Sequence, residues 1–324
     1  MNTNSNKNNH TVIIPEELAN ERLDQALAKL LPEYSRTQLK QWIESDQVTL
    51  NGVQVKAKTK VKHDDVITVQ PVLRPEPTWQ AQDIPLNIVH EDEAVIVINK
   101  PAGLVVHPGA GNADATLLNA LLHHSPSLKL LPRAGILHRL DKDTSGLLII
   151  AKTPSALKHL SQQLKARTLT REYQTIVYGE LISGGKVDAP IDRHPIQRKR
   201  MAVVETGKPA ITHYRIMEKY LGLTRLKVKL ETGRTHQIRV HMSYIRHPIA
   251  GDVLYGGRVQ LSKGMGNELI TCLRQFKRQA LHAFAVGFTH PLSDELVTYE
   301  VDPPHDMQEL IAALQADTKN AHKR

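Results

Sequence analysis

His138-Arg139-Leu140-Asp141-Lys142-Asp143-Thr144-Ser145-Gly146-Leu147-Leu148-Ile149-Ile150-Ala151-Lys152 sets a polar cluster directly against an unbroken apolar run. The apolar half must be buried and reads as a strand. Ser145-Gly146 is a turn signal. Asp141 therefore falls on a loop at the rim of a rigid sheet, where reactive groups are commonly placed. Asp and Arg this close can set each other's charge. Aspartates in turns also bond their own backbone. That is the better reading for Asp143, beside Thr144-Ser145-Gly146; for Asp141 the residues alone leave both readings open.

Further β-rich runs lie on either side: Ala94 to Asn99, Glu172 to Tyr178, Ile211 to Met217, Thr224 to Leu230, Phe284 to Thr289 and Glu295 to Val301. Pro154 to Ala166 reads as one of a few helices between them. Many strands with few helices predict an α+β fold, with a mixed, largely antiparallel sheet over residues 84–304. Residues 305–324 read as a tail with a short helix and a polar, basic end. No internal repeat is visible.

Residues 11–71 form a different unit. Leu23, Ala26, Leu27, Leu30 and Leu31 recur at helical spacing, and Pro32 ends that helix. Ser35 and Gln38 form a capping box for a second helix, whose apolar face is Leu39, Trp42 and Ile43. Val48 and Leu50, then Asn51-Gly52, then Val53 and Val55 read as a hairpin with a type I′ turn, and Asp65 to Val69 as a last strand. Prolines 71, 75, 77 and 85 mark 72–83 as a semi-extended linker that tethers the unit. Residues 1–10 are Asn-rich and polar. With no apolar h-region they read as a disordered arm, not a secretory signal.

The charge is +9 and unevenly placed: residues 185–258 hold 15 Lys and Arg against 6 Asp and Glu. A localised basic field suits a polyanion, most often nucleic acid. Arg193 to Arg200, with Ile196-Gln197-Arg198-Lys199-Arg200, is too polar for core and reads as phosphate contacts. The single cysteine, Cys272, excludes an intramolecular disulfide and any CxxC site. No run approaches the roughly 20 apolar residues of a membrane span. A cytoplasmic monomer is the simplest expectation. Nucleotide-binding glycine loops are absent, and His123-His124 and His236/His241 lack a ligand-spaced Cys/His setting, so neither cofactor nor metal is expected.

Arg22-Leu23-Asp24, Ser35-Arg36 and Val48-Thr49-Leu50-Asn51-Gly52 together resemble the S4 RNA-binding domain. That resemblance implies an RNA face on the second helix, with Arg36 and Lys40. The run His138 to Lys152 closely resembles the catalytic motif of the RluA family of pseudouridine synthases. Asn99-Lys100-Pro101-Ala102-Gly103-Leu104-Val105-Val106-His107-Pro108 is similar to the family's first motif, a structural strand and turn. Arg171-Glu172-Tyr173, Glu231-Thr232-Gly233-Arg234-Thr235-His236-Gln237-Ile238-Arg239 and Arg278-Gln279-Ala280-Leu281-His282-Ala283 are also similar. The resemblance implies isomerisation of uridine to pseudouridine. It makes Asp141 the catalytic carboxylate, Tyr173 the active-site tyrosine and Arg234 the basic partner of Asp141. Arg139 helps to flip the nucleotide, and His138, Leu140, Gln237 and Arg239 face substrate. A lone buried carboxylate would have its pKa raised, which a guanidinium at salt-bridge distance opposes. An S4-like unit ahead of such a domain resembles the family's large-subunit enzymes. It implies 23S ribosomal RNA, or the large ribosomal subunit, as partner. A non-catalytic ribosome-assembly factor and a two-carboxylate hydrolase are the competing readings.

Overall fold

Ile96 and Ile98 turn to one face of their strand and Val95 and Val97 to the other, and all four are fully buried. Leu148 and Ile150 oppose Leu147, Ile149 and Ala151 in the same way on the next strand. A side-chain period of two on a continuous apolar run demands cover on both faces. One face joins the main core, and the other is covered by the helix carrying Ala156 and Leu160.

The computed structural model describes residues 10–32, 34, 36–70, 79–109, 111–197 and 200–321. The chain divides into two compact units, before and after residue 78. The first contains β1 (His10–Ile13), α1 (Leu23–Leu30), α2 (Arg36–Glu44), β2 (Val48–Leu50), β3 (Val53–Gln54) and β4 (Val66–Val69). Its sheet runs β1-β4-β2-β3. Asn51 and Gly52 both have positive φ, as the predicted type I′ turn requires. His10, expected in a disordered arm, pairs with Val69 at the start of β1. The expected capping box of Ser35 and Gln38, and the rest of the arm, lie outside the described residues.

The second unit is built from β5 (Ile88–Glu91), β6 (Val95–Lys100), α3 (Leu117–His124), β7 (Ser145–Ala151), α4 (Pro154–Ala166), β8 (Thr170–Tyr178), β9 (Gly185–Asp188), β10 (Ile191–Arg193), β11 (Met201–Val203), β12 (Ile211–Tyr220), β13 (Leu223–Leu230), α5 (Gln237–Tyr244), α6 (Asn267–Gln275), β14 (Leu281–Thr289), β15 (Leu296–Glu300) and α7 (His305–Ala321). Nine strands form one sheet, ordered β5-β6-β7-β14-β8-β13-β12-β9, with β15 on β14. Among the described strands only β7 and β14 pair in parallel. The fold is thus α+β with a mixed, largely antiparallel sheet, as the sequence predicts. Thr153 caps α4 through its hydroxyl and Pro154 occupies its first turn, which explains why that helix was legible to the residue.

Two boundaries differ from the sequence reading. The supposed tail helix is 17 residues long, and its Met307, Leu310, Ile311 and Leu314 are part of the main core. Residues 79–83, expected in the linker, are bonded to the second unit. The Asn119 amide donates to the Gln80 carbonyl, and the Gln82 side chain accepts from the Ala115 amide. Trp79 packs on the same core.

Gly146, the second residue of β7, has φ +115°, and a Cβ there would meet the Ala283 carbonyl oxygen at 2.2 Å. The parallel β7–β14 contact needs this glycine. Gly146→Ala is expected to lose about 3 kcal/mol or more in denaturant unfolding. Gly109→Ala, with open space around its Cβ, should change stability by less than about 0.5 kcal/mol. Equal values would mean that the β7–β14 approach is not constrained.

Candidate active site

The Asp141 loop is fastened from below by a buried cation. Lys100, at the end of β6, is fully buried. Its Nζ donates to the carbonyls of Pro101, Leu104 and Lys142 at 2.7, 2.9 and 2.9 Å. An ammonium carries three protons, so all its donors are used. Burial pushes the Lys100 pKa down to about 7, while Asp143 and Asp141 pull against that. The Gly103 amide adds a second bond to the Lys142 carbonyl. The Thr144 amide donates to the Asp141 carbonyl, closing the turn that leads into β7.

Above this clamp lies a cleft of about 1120 Å³. Asp141 and Arg139 from the loop, Tyr173 from β8 and Arg239 from α5 all line it. In the sheet β14 separates β7 from β8, so the cleft sits over the middle of the sheet. The Asp141 side chain is 15% exposed, and its Oδ2 accepts from Arg239 Nη1 at 3.1 Å. The same guanidinium forks onto Asp252, Nε to Oδ2 at 2.7 Å and Nη2 to Oδ1 at 2.9 Å. The Asp252 side chain is fully buried, and its Oδ1 also accepts the Leu254 and Tyr255 amides. His236 Nε2 lies 3.8 Å from Asp141 Oδ1. Burial lowers the His236 pKa, Asp141 acting against it, so the ring is neutral at neutral pH. Burial raises the Tyr173 pKa and keeps its hydroxyl protonated.

Arg239 therefore holds the place the sequence reading gave to Arg234. The Arg234 guanidinium instead donates Nε to the Pro209 carbonyl at 3.1 Å, on the exposed rim. The reason is local. Arg234 precedes α5 in a loop whose backbone is tied by Gln237, while Arg239 stands in the first turn of the helix and reaches Asp141. Gln237, expected to face substrate, is spent on the chain. Its oxygen accepts from Arg234 N and Thr232 Oγ1, and its nitrogen donates to the Ile211 carbonyl and Thr212 Oγ1.

The other expected substrate contacts divide. Arg139 is exposed and lines the cleft. Leu140 is 4% exposed and belongs to the main core. The His138 ring lines the cleft, but its Nε2 faces the Ile149 amide at 3.4 Å. Burial, with Arg171 adding to it, drives its pKa to about 3. In the first unit Arg36 bonds the buried Asp24, which also holds Arg22, so this part of the second helix is a structural clasp. Lys40 lies 3.5 Å from Glu44 and is exposed. Arg200 lies over the Tyr255 ring. Arg198 and Lys199 lie outside the described residues. Sequence reasoning missed Lys100 as a clamp, gave Arg171 and His236 no place at Asp141, and did not single out Asp252 or Tyr255. Arg171 and His236 stood inside quoted motifs. Asp252 carries no local signal, because its partner is 13 residues away on another element.

Residues 94–244 match the model of the RNA pseudouridylate synthase family, and residues 21–67 that of the S4 domain. A protein of Haemophilus ducreyi named ribosomal large subunit pseudouridine synthase D is 53% identical over 308 residues, 95% of each chain. Its namesake in Escherichia coli K12 is 51% identical, over 95% of this chain and 94% of that one. The chain belongs to the RNA pseudouridylate synthase family. A solved structure of human RNA pseudouridylate synthase domain containing 4 shares the fold, with a TM-score of 0.56 at 24% identity, over 71% of this chain and 93% of that one. As in any pseudouridine synthase, the reaction is an isomerisation, with no electrons gained or lost. Among the described residues no group of His, Cys, Asp and Glu is placed to hold a metal ion, and no helix is long and apolar enough to cross a membrane.

Arg239 and Arg234 should separate in stability. Arg239→Met leaves two carboxylates without their cation and is expected to cost about 3–5 kcal/mol. Arg234→Ala removes an exposed contact and should cost less than about 1 kcal/mol. Urea unfolding of both variants reads the difference, and equal losses would contradict the assignment.

Proposed function

We propose that this chain converts uridine to pseudouridine in 23S ribosomal RNA, at a stem-loop near the decoding region, with Asp141 as the reacting carboxylate. The observation that carries the reading is the partly open Asp141 carboxylate, ion-paired at 3.1 Å by a guanidinium that is itself locked, in a cleft with a buried tyrosine. The shared large-subunit name of its relatives supports the ribosomal substrate. The chain works as a cytoplasmic monomer without metal or cofactor.

A stacked uridine must leave its helix first, at a cost of about a few kcal/mol. Arg139, the exposed arginine beside Asp141, fills the gap in the stack. Tyr173 then lies against the everted base as an uncharged platform. The N1–C1′ bond breaks as C1′ gains positive character. Asp141 meets that change either by bonding C1′ or by taking a proton from C2′ to give a glycal. In both routes the uracil turns, C5 bonds C1′, the C5 proton is lost, N1 gains a proton, and Asp141 ends as it began. Arg239 balances its charge throughout. His236 is neutral, so it orients rather than neutralises.

Arg193, Arg198, Lys199 and Arg200 contact phosphates, and Arg36, still more than half exposed beside its Asp24 pair, adds RNA contacts from the S4 unit together with Lys40. Such contacts position the RNA without reading its sequence.

Asp141→Asn keeps the shape and removes the anion. Pseudouridine formation should fall by at least about three orders of magnitude. Mapping pseudouridine in large-subunit RNA from cells carrying only this variant gives the readout. Modification at the wild-type level would remove Asp141 from the mechanism. Release of free uracil by the wild type would favour hydrolysis.

A further inference from the structure

The hairpin β10–β11 stands apart from the nine-stranded sheet. A small separate core fixes it to α5: Ile191, Ala210, Val240 and Tyr255 are buried together, with Met201 and Val203 against them. Tyr255 does more than fill that core. Its hydroxyl accepts the Met201 amide proton at 2.9 Å and bonds His236 Nδ1 at 2.8 Å. Its own amide donates to Asp252, the carboxylate that grips Arg239. The guanidinium carbons of Arg239 and Arg200 lie 4.9 and 5.2 Å from its ring centre. One side chain thus touches the hairpin through Met201 and Arg200, and both groups that face Asp141 through Arg239 and His236.

The hydroxyl's bonding has a direction. Having accepted from Met201, it has its own proton to give to His236 Nδ1. That assignment places the ring proton on Nε2, which faces Asp141 Oδ1 at 3.8 Å. His236 also holds a left-handed backbone, φ +56°, where α5 begins. Such a conformation is kept only by its surroundings, and the Tyr255 bond is one of them. At the hairpin end, Arg200 Nε is buried with no acceptor, while its Nη1 donates to Gln197 Oε1 at 3.1 Å. An unpaired buried N–H calls for a partner, and a phosphate oxygen matches the guanidinium fork.

We propose that Tyr255 is a positioning residue: it couples phosphate binding at Arg200 to the seating of His236 and Arg239 around Asp141. The inference rests on the reading of the cleft as the site of uridine isomerisation. It goes beyond that reading by making the hairpin a sensor of bound RNA. A phosphate that draws Arg200 toward itself shifts the cation on one side of the Tyr255 ring and the Met201 amide beside it. Both changes reach Asp141 through a single phenol.

The test uses the full-length protein and a 23S RNA stem-loop transcript. It compares wild type, Arg200→Ala, Tyr255→Phe and the double variant in single-turnover pseudouridine formation and filter binding. Tyr255→Phe keeps the ring and loses only the hydroxyl. Its rate at saturating RNA should fall about tenfold, the loss of one hydrogen bond in a buried network, with Kd within about twofold of wild type. Arg200→Ala should raise Kd in both backgrounds but slow the saturated rate only where the hydroxyl is present. Unchanged rates in Tyr255→Phe, or independent multiplicative losses in the double variant, would overturn the coupling.

A second readout separates this failure from failure of the pseudouridine reading. The imidazole NMR signals of His236 should shift on RNA binding in wild type, whether or not the RNA is converted, and shift markedly less in Tyr255→Phe, where only direct contact with the bound RNA remains. If Tyr255→Phe does not fold, Arg200→Ala carries the same test: saturating RNA should then shift His236 markedly less than in wild type. A full wild-type shift in that variant would overturn the proposal.

Discussion

One guanidinium between two carboxylates organises this site. Arg239 meets Asp252 with two parallel bonds and Asp141 with one. The two acids differ in what else they hold. Asp252 has no exposed side-chain surface and accepts two backbone amides besides. Asp141 keeps 15% of its side chain open to the cleft. The buried acid anchors the arginine, and the anchored arginine then holds the open acid. Lysine could not do both tasks, because a point charge on a flexible stem lacks the planar fork. Breaking such a pair leaves an unmatched buried charge, so the arrangement also constrains the fold.

The scaffold supplies the second half of that geometry by holding the backbone that carries Asp141. Lys100 spends every donor on carbonyls, one of them the Lys142 carbonyl beside Asp141. Gly146 lets β7 approach β14 where a side chain would collide. The loop is therefore clamped at both ends, while α5 brings Arg239 into the same cleft. A carboxylate on a loop needs such a clamp, since reactive geometry tolerates only about half an ångström of error.

What the sequence made legible follows from the range of the forces involved. The strands of the main sheet and α4 were readable because period-two burial, a threonine cap and a proline in the first turn act within a few residues. Asp141, Arg139 and Tyr173 reach one cleft, and all three stood in contiguous motifs. The choice of Arg234 over Arg239 shows the limit. Both lie in one short run, and spacing alone does not say which falls in the loop and which in the helix. That decision is made by Gln237, whose bonds to Thr232, Ile211 and Thr212 fix where α5 starts. Asp252 and Tyr255 were illegible for a related reason, as their partners are distant in sequence. The helix at 305–321 was undervalued because its apolar face matters only once the core it covers exists.

A carboxylate offered to RNA faces an electrostatic problem, for it must approach a polyanion without being repelled. Arg133, Arg139, Arg167, Arg171 and Arg234 line the cleft besides Arg239, against Asp141, Asp143 and Glu231. The phosphates therefore meet a positive rim, and the Asp141 carboxylate lies among arginines. Glu231 is taken up by Arg167 and His213, and so adds little negative field. Attraction at the rim is screened by salt and spread over many residues. The ion pair beneath it is short, buried and screened much less. The two layers should thus respond differently to ionic strength, weaker binding in salt leaving the chemistry of bound RNA largely unchanged.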